Sequence, residues 1–264
     1  MSGPVSSRSF RSSDGVRLNV LEAGADCSGG VIAFIPGWSM PASLWRFQLG
    51  FLGERFRVAA LDPRGQGESE VCAGGYEIDR RADDIAEFLA HYRPGVLVGW
   101  SLGALEALQC VYRHGSEILK ALVVVDSSVG EPPVPATNVD FREALARDRG
   151  ATMEQFVRAL FKTTRPEPEI AGLCEVALRM PLAASLALFP SHVPREHWRD
   201  LVEGFTKPLL YVATPQFAGQ AQNLGRRRPS TRIEIFRDAG HALFVDEPER
   251  FGRLLAKFAT PVLS

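Results

Sequence analysis

The chain has 264 residues, 45% of them hydrophobic, which is enough for one large α/β domain or two small domains with a sizeable core. Its formal net charge of −1 at pH 7 argues against broad electrostatic attraction to nucleic acid or to an anionic membrane. No stretch approaches the roughly 20 uninterrupted apolar residues that a membrane-spanning helix needs, so no membrane span is expected.

The four cysteines, Cys27, Cys72, Cys110 and Cys174, are far apart in the sequence and form no C-x-x-C pair. This spacing predicts neither a disulfide framework nor a zinc site, and it fits a reducing compartment. The N-terminal segment MSGPVSSRSFRSSDG contains no apolar stretch of the kind found in secretory signal peptides. The sequence therefore predicts a cytoplasmic protein without a bound metal.

The first half of the chain alternates between strand patterns and helix patterns. Two alternating runs flank the turn signal Asp14-Gly15 and predict a β-hairpin. Continuous apolar runs predict strands that are buried on both faces, and an apolar stripe over 79–92 predicts an amphipathic helix. The predicted strands are VIAFI (31–35), RVAAL (57–61), VLVG (96–99) and ALVVVD (121–126), and the helix LGALEALQCVYRHG follows VLVG.

The pattern changes at EPPVP (131–135), which interrupts the alternation. From residue 138 to about residue 204 the sequence contains short helix-like pieces, several of them separated by proline, and no convincing strand. The strand pattern returns in LLYVA (209–213) and RIEIF (232–236), and a last helix begins near Pro248. We therefore expect a core made of residues 1–135 and 207–264, interrupted by a helical cap of residues 136–206.

The alternation of strands with helices predicts a mostly parallel sheet with helices on both faces. Ligands bind such sheets at the carboxyl ends of the strands. Residues that directly follow a strand are therefore the first candidates for a functional site, and the inserted helices are expected to lie over that edge of the sheet.

The motif GWSLG, residues 99–103, lies between a predicted strand and a predicted helix. A G-x-S-x-G motif in this position forms a tight strand-to-helix turn, which raises the serine hydroxyl above the edge of the sheet. Small residues are needed on both sides of the serine because the turn is strained. Ser101 is therefore the candidate nucleophile, and the alternative is an ordinary glycine turn.

Four segments together resemble the α/β-hydrolase family, in that family's order and at its usual intervals over nearly the whole chain. The resemblance implies a mostly parallel, eight-stranded sheet, a serine–histidine–acid triad and a variable cap. The chain is similar to the esterase and haloperoxidase-like members of the family. The segments are FIPGW (34–38), LDPRGQGES (61–69), VGWSLG (98–103) and DAGHALFVDEPERF (238–251).

The candidate base is His241, which follows the last predicted strand. A neutral imidazole at this position can take the Ser101 proton and later return it to the leaving group. Two backbone N–H groups are expected to stabilise the oxyanion: that of Trp38, which follows the glycine of FIPGW, and that of Leu102, which follows the nucleophile. Pro36 stands where many family members have histidine, and this departure leaves the Trp38 N–H in place.

The side chains of two tryptophans, Trp38 and Trp100, flank the catalytic turn. They could line a pocket for the acyl group of a substrate, or they could serve only to pack the core. The residue pattern favours neither alternative over the other.

The turn that usually supplies the triad acid, after the seventh strand, is TPQF (214–217) in this chain and contains no carboxylate. The acid fixes the histidine tautomer and stabilises the imidazolium, so it cannot be omitted without a large loss. Asp126 ends the sixth strand, the other position that this fold uses, and is the predicted acid. Asp238 and Glu131 are the rivals, and Asp126 could instead cap the turn that follows it.

The sequence predicts a serine hydrolase that cleaves a small, apolar ester through an acyl-enzyme, without a cofactor. A C–C bond hydrolase and a cofactor-free, haloperoxidase-like perhydrolase would use the same triad on other bonds. A dehalogenase or epoxide hydrolase is disfavoured, because those relatives need a carboxylate where this chain has Ser101. A small-molecule receptor on the same fold is the alternative from another class. The expected partner is a small-molecule substrate, and the sequence leaves the oligomeric state open.

Overall fold

A computed structural model of the chain describes residues 4–24, 29–134 and 139–264. Eight strands in these ranges form one sheet, and apolar side chains dominate the inner strands. The strands are β1 (Ser6–Arg11), β2 (Arg17–Ala23), β3 (Val31–Ile35), β4 (Arg57–Asp62), β5 (Val96–Trp100), β6 (Ala121–Val125), β7 (Leu209–Ala213) and β8 (Arg232–Ile235).

The strands are arranged in the order β1-β2-β4-β3-β5-β6-β7-β8. The hairpin of β1 and β2 is antiparallel, β2 also pairs antiparallel with β4, and the remaining neighbours are parallel. Every residue of β3, β5, β6 and β7 is buried, as expected for parallel strands that helices cover on both faces. The predicted fold class, a mostly parallel eight-stranded sheet with helices, is confirmed.

Helices occupy most of the remaining described residues. Four of them are missing from the helices that the sequence predicts: RFQLGFLG (46–53), whose two glycines are weak helix formers, and the helices that begin at Arg195, Ala218 and Leu243. The helices are α1 (Arg46–Gly53), α2 (Ile78–Leu89), α3 (Leu102–His114), α4 (Val139–Arg147), α5 (Arg149–Ala159), α6 (Glu167–Leu178), α7 (Leu182–Ala187), α8 (Arg195–Gly204), α9 (Ala218–Arg227), α10 (Leu243–Asp246) and α11 (Pro248–Leu263).

Five helices, α4 to α8, connect β6 to β7, and we call residues 139–204 the helical segment. This segment contains no strand. Within it, α5 packs against α4 and α6, and α8 packs against α3 of the core. The boundary expected between residues 135 and 136 lies outside the described residues. The division of the chain into a core and a cap stays a prediction.

Three of the four cysteines, Cys72, Cys110 and Cys174, carry free thiols, and Cys27 lies outside the described residues. Burial raises the pKa of Cys110 to about 12, so this thiol stays protonated at neutral pH. Within the described ranges, no helix has both the length and the apolar character that crossing a lipid bilayer requires. The cytoplasmic location stays a prediction.

Candidate active site

Ser101 lies in a strained turn between β5 and α3, with φ 54° and ψ −121°. A residue with a side chain rarely adopts this conformation unless its surroundings enforce it. Here the Ser101 N–H donates to the carbonyl oxygen of Val125 in β6 at 2.9 Å. A Cβ at Gly99 would lie 2.4 Å from the Gly103 carbonyl oxygen, and a Cβ at Gly103 would lie 2.5 Å from that of Pro36. Only glycine therefore fits on either side of this turn.

Asp126 directly follows β6, is fully buried and contacts the candidate base. Its Oδ2 lies 2.7 Å from Nδ1 of His241, and its Oδ1 accepts the backbone N–H of Thr214 at 2.6 Å. The backbone N–H of Asp126 donates to Val212 at 2.8 Å. Because both carboxylate oxygens are engaged, the carboxylate is held against the imidazole. Since a carboxylate accepts, Nδ1 carries the proton and Nε2 is the nitrogen available as a base.

The turn after β7 contributes to this arrangement without a carboxylate of its own. Its residue Thr214 supplies the N–H that holds Asp126. The two rivals lie elsewhere: the Asp238 side chain is 92% exposed, with Oδ1 3.7 Å from Nζ of Lys162, and Oε1 of Glu131 lies 3.4 Å from Nε of Arg227. The structure therefore places Asp126 against His241, and it places neither Asp238 nor Glu131 there.

Trp100 is buried and packs against the loop that contains the candidate base. Its Nε1 donates to the carbonyl oxygen of His241 at 2.9 Å. The Trp100 ring centroid lies 5.2 Å from the imidazole centroid and 5.1 Å from that of Phe244. These contacts give Trp100 a role in holding the histidine loop in place. Its second expected role, as a wall of the substrate pocket, stays a prediction.

Asp246 ties the histidine loop to the helical segment. Its Oδ2 accepts the backbone N–H groups of Gly240 at 2.7 Å and Lys162 at 2.9 Å, and its Oδ1 accepts that of Thr163 at 3.0 Å. Burial alone would raise the pKa of Asp246, but these hydrogen bonds and one from the Thr163 hydroxyl hold it below its usual value. No pattern along the chain indicates the contacts with Lys162 and Thr163, because these residues are far from Asp246 in the sequence.

The two expected oxyanion donors belong to residues next to Ser101. The turn that carries Trp38 packs directly on the serine, since a Cβ at Gly37 would lie 3.2 Å from the Ser101 Cβ. Leu102 is the first residue of α3, so its N–H has no carbonyl acceptor within the helix. The turn of the Trp38 donor is thus adjacent to the nucleophile in space, and the Leu102 donor is adjacent to it in sequence.

The side chain of Trp38 joins the core to the helical segment. Its Nε1 donates to the carbonyl oxygen of Ser185 at 2.7 Å. Its ring stacks on Phe189 with centroids 5.2 Å apart, and it meets Phe156 and Phe141 edge-on at 5.2 Å and 5.5 Å. We call these four rings the aromatic cluster. Trp38 therefore links the turn that packs on Ser101 to aromatic rings of the helical segment, and its expected role as a wall of the substrate pocket stays a prediction.

No group of three or more histidine, cysteine, aspartate or glutamate side chains in the described parts of the chain is arranged to hold a metal ion. His197, whose segment HVPREH superficially resembles a zinc motif, has its Nε2 2.7 Å from Oε1 of Gln109. Its ring also contacts Tyr112 edge-on, with centroids 5.0 Å apart. These contacts give His197 a role in the packing of α8 on α3.

Comparison with known families assigns the chain to one of them. The model of the alpha/beta hydrolase family matches residues 32–254, which include Ser101, Asp126 and His241. The chain belongs to this family. The resemblance drawn from the four sequence segments is thereby confirmed.

The chain is similar to two known proteins and to a solved structure. The pimeloyl-[acyl-carrier protein] methyl ester esterase of Nitrosomonas europaea is 28% identical over 243 residues, covering 85% of this chain and 93% of that protein. The non-heme haloperoxidase of Rhodococcus erythropolis is 35% identical over 149 residues, covering 52% of this chain and 53% of that protein. An esterase structure from Exiguobacterium antarcticum has a TM-score of 0.84 at 22% identity, covers 95% of this chain and 98% of that one, and shows the shared fold.

Proposed function

We propose that this alpha/beta hydrolase is a serine esterase that cleaves a small, apolar ester through an acyl-enzyme. The observation that carries the proposal is the 2.7 Å hydrogen bond between Asp126 and Nδ1 of His241, formed beside the strained turn of Ser101. The methyl ester esterase among the relatives supports an ester of a small alcohol as the substrate.

The proposed reaction begins when Oγ of Ser101 attacks the acyl carbon and Nε2 of His241 takes the hydroxyl proton. The ionised Asp126 stabilises the imidazolium that forms. Negative charge develops on the former carbonyl oxygen, and the N–H groups of Trp38 and Leu102 stabilise it.

The tetrahedral intermediate then collapses. The bond from the acyl carbon to the ester oxygen breaks, the imidazolium of His241 protonates that oxygen, and the alcohol leaves. Water attacks the acyl-enzyme and gives a proton to the same imidazole. The second intermediate releases the carboxylic acid and returns the proton to Oγ of Ser101.

The helical segment serves in this proposal as a cap that sets substrate choice. Its support is the aromatic cluster, in which three phenylalanines of the segment contact Trp38, the residue after Gly37, whose turn packs on Ser101. An apolar wall favours an apolar acyl group, because burying apolar surface is favourable by roughly 25 cal/mol per Å². Substrate choice should therefore respond to the size of these rings.

Phe189→Ala is expected to shift the preference of the enzyme toward longer acyl chains. Removal of the ring that stacks on Trp38 opens space beside the nucleophile. The ratio of kcat/KM for p-nitrophenyl octanoate to that for the acetate should rise by about 10-fold, the low end of what one methylene is worth in a hydrophobic pocket. Steady-state kinetics over a series of chain lengths measures this ratio.

The matched control is Phe51→Ala. Phe51, like Phe189, is half-buried and stacks on another aromatic ring, here that of Phe47, with centroids 5.9 Å apart. It lies on α1, away from the aromatic cluster. Its replacement should leave the chain-length profile unchanged. An equal shift in both variants, or no shift in Phe189→Ala, would show that the aromatic cluster does not line the acyl site.

The haloperoxidase among the relatives supports a perhydrolase as the second candidate activity. That reaction would use the same acyl-enzyme, with hydrogen peroxide in place of water, and would release a peracid. A panel of p-nitrophenyl esters, assayed beside a diketone and beside acetate with peroxide and bromide, separates the candidates. Fast ester turnover with slow bromination and no diketone cleavage is the result that the esterase proposal expects.

A fluorophosphonate probe distinguishes a small-molecule receptor from both the esterase and the perhydrolase. A receptor with an inactive site would bind ligand without phosphonylation of Ser101. The esterase proposal expects one probe per chain on that serine. The probe thus tests whether the site is active, and the substrate panel tests what it acts on.

A further inference from the structure

Gln66 is fully buried and lies in the segment LDPRGQGES, to which the proposed mechanism gives no part. Its Nε2 donates two hydrogen bonds to the turn that carries Trp38, to the carbonyl oxygens of Gly37 at 3.0 Å and Met40 at 2.7 Å. Its Oε1 accepts from Nη2 of Arg81 at 3.0 Å. These partners define the orientation of the amide, because carbonyl oxygens only accept and a guanidinium only donates.

The carbonyl of Gly37 and the N–H of Trp38 belong to the same peptide group. A trans peptide is planar, and its C=O and N–H point in opposite directions. The Gly37 oxygen also accepts the backbone N–H of Met40 at 3.2 Å, so two donors hold it. Rotation of this peptide would break both hydrogen bonds. The contacts on the Gly37 carbonyl therefore fix the direction of the Trp38 N–H.

A buried ion pair continues from Gln66 to the helix that follows the nucleophile. Nη2 of Arg81 lies 2.9 Å from Oε1 of Glu106, and both side chains are 1% exposed. Glu106 lies on α3 one turn after Leu102. Gln66, Arg81 and Glu106 thus connect the two segments that contain the expected oxyanion donors.

We propose that Gln66 is a positioning residue for ester hydrolysis, which holds the Trp38 N–H toward the oxyanion while Arg81 keeps the glutamine amide in its donating orientation. This inference rests on the proposed function, which supplies the oxyanion. A hydrogen bond accepted by the Gly37 carbonyl also polarises the peptide and strengthens its N–H as a donor. Because the oxyanion exists only after attack, the contribution belongs to kcat rather than to substrate binding.

Gln66→Met keeps the length of the side chain and removes its hydrogen bonds. With p-nitrophenyl butyrate as substrate, kcat should fall about 10- to 100-fold, somewhat less than the loss of a whole oxyanion donor. A trifluoromethyl ketone forms a hemiketal oxyanion with a serine nucleophile, whereas the alcohol of the same carbon skeleton does not. The inhibition constant of the ketone should rise by a similar factor, and that of the alcohol should not change.

Gln109→Met is the matched control. Gln109 is also buried, and its amide contacts Asp79 through Nε2 and His197 through Oε1, away from both oxyanion donors. This variant should keep the kcat of the unmodified enzyme and its inhibition constant for the ketone. An equal loss in the two variants, or weaker inhibition by ketone and alcohol alike in Gln66→Met, overturns the positioning role.

Gln66→Glu provides a second test if Gln66→Met does not fold. Glutamate keeps the shape and the contact with Arg81 but has no N–H to donate to Gly37 or Met40. Gln66→Glu must show the same fall in kcat and the same weakening of inhibition, for the ketone and not for the alcohol. An unchanged inhibition constant for the ketone overturns the inference. An unmodified protein that neither hydrolyses the ester nor reacts at Ser101 contradicts the proposed function itself, and with it the role of Gln66.

Discussion

Ser101→Ala should lower kcat for ester hydrolysis on the order of 10⁶-fold and abolish labelling by a fluorophosphonate probe, because the mechanism then has no nucleophile. The fold should persist. Alanine lacks only Oγ, and the backbone hydrogen bond from residue 101 to Val125 does not involve the side chain. Steady-state kinetics, probe labelling and a thermal unfolding curve measure the three quantities.

Ser127→Ala is a suitable control for the serine prediction. Ser127 is buried and follows Asp126, and the one hydrogen bond described for its hydroxyl is long, 3.5 Å to the carbonyl oxygen of Ser128. This variant should keep activity and labelling near those of the unmodified protein. Covalent labelling that persists in Ser101→Ala would mean that another residue is the nucleophile.

Asp126→Asn should lower kcat about 10³- to 10⁴-fold with folding preserved. The structure gives a specific reason. The N–H of Thr214 needs an acceptor, so the amide oxygen of the new asparagine will face it and the amide NH₂ will face Nδ1 of His241. A donor at that position forces the proton onto Nε2, and this tautomer cannot take the proton of Ser101.

Asp238→Asn tests whether this loss is specific to residue 126. The Asp238 side chain is almost fully exposed and lies near Lys162, so its charge is screened by water. Its replacement should leave kcat nearly unchanged. Near-full activity of Asp126→Asn, or equal losses in the two variants, would show that the imidazole is oriented by some other group.

The parts of the site that depend on neighbours in the sequence were predictable. Gly99 is required by a contact within one turn, with the carbonyl oxygen of Gly103, so the motif alone identifies that turn. Asp126 could be predicted as the acid because the strand pattern places it next to the end of β6 and the usual acid position contains no carboxylate. The fold could likewise be predicted from the alternation of buried strands with amphipathic helices.

The contacts that hold the site together were not predictable, because they join segments that are distant along the chain. Thr214 holds Asp126 through a backbone N–H, which any residue other than proline could supply. Gln66 matters through carbonyls of a turn that only the folded chain brings near. Trp100 donates to the carbonyl oxygen of His241, a contact that no pattern along the chain indicates.

The triad is tested most directly by peptide mapping with mass spectrometry after timed exposure to a fluorophosphonate probe. The unmodified protein, Asp126→Asn and Asp238→Asn are compared. We expect a single adduct on Ser101, formed at similar rates in the unmodified protein and Asp238→Asn and at least about 10³-fold more slowly in Asp126→Asn. An adduct on another residue, no adduct in the unmodified protein, or equal rates in all three proteins would contradict a triad of Ser101, His241 and Asp126.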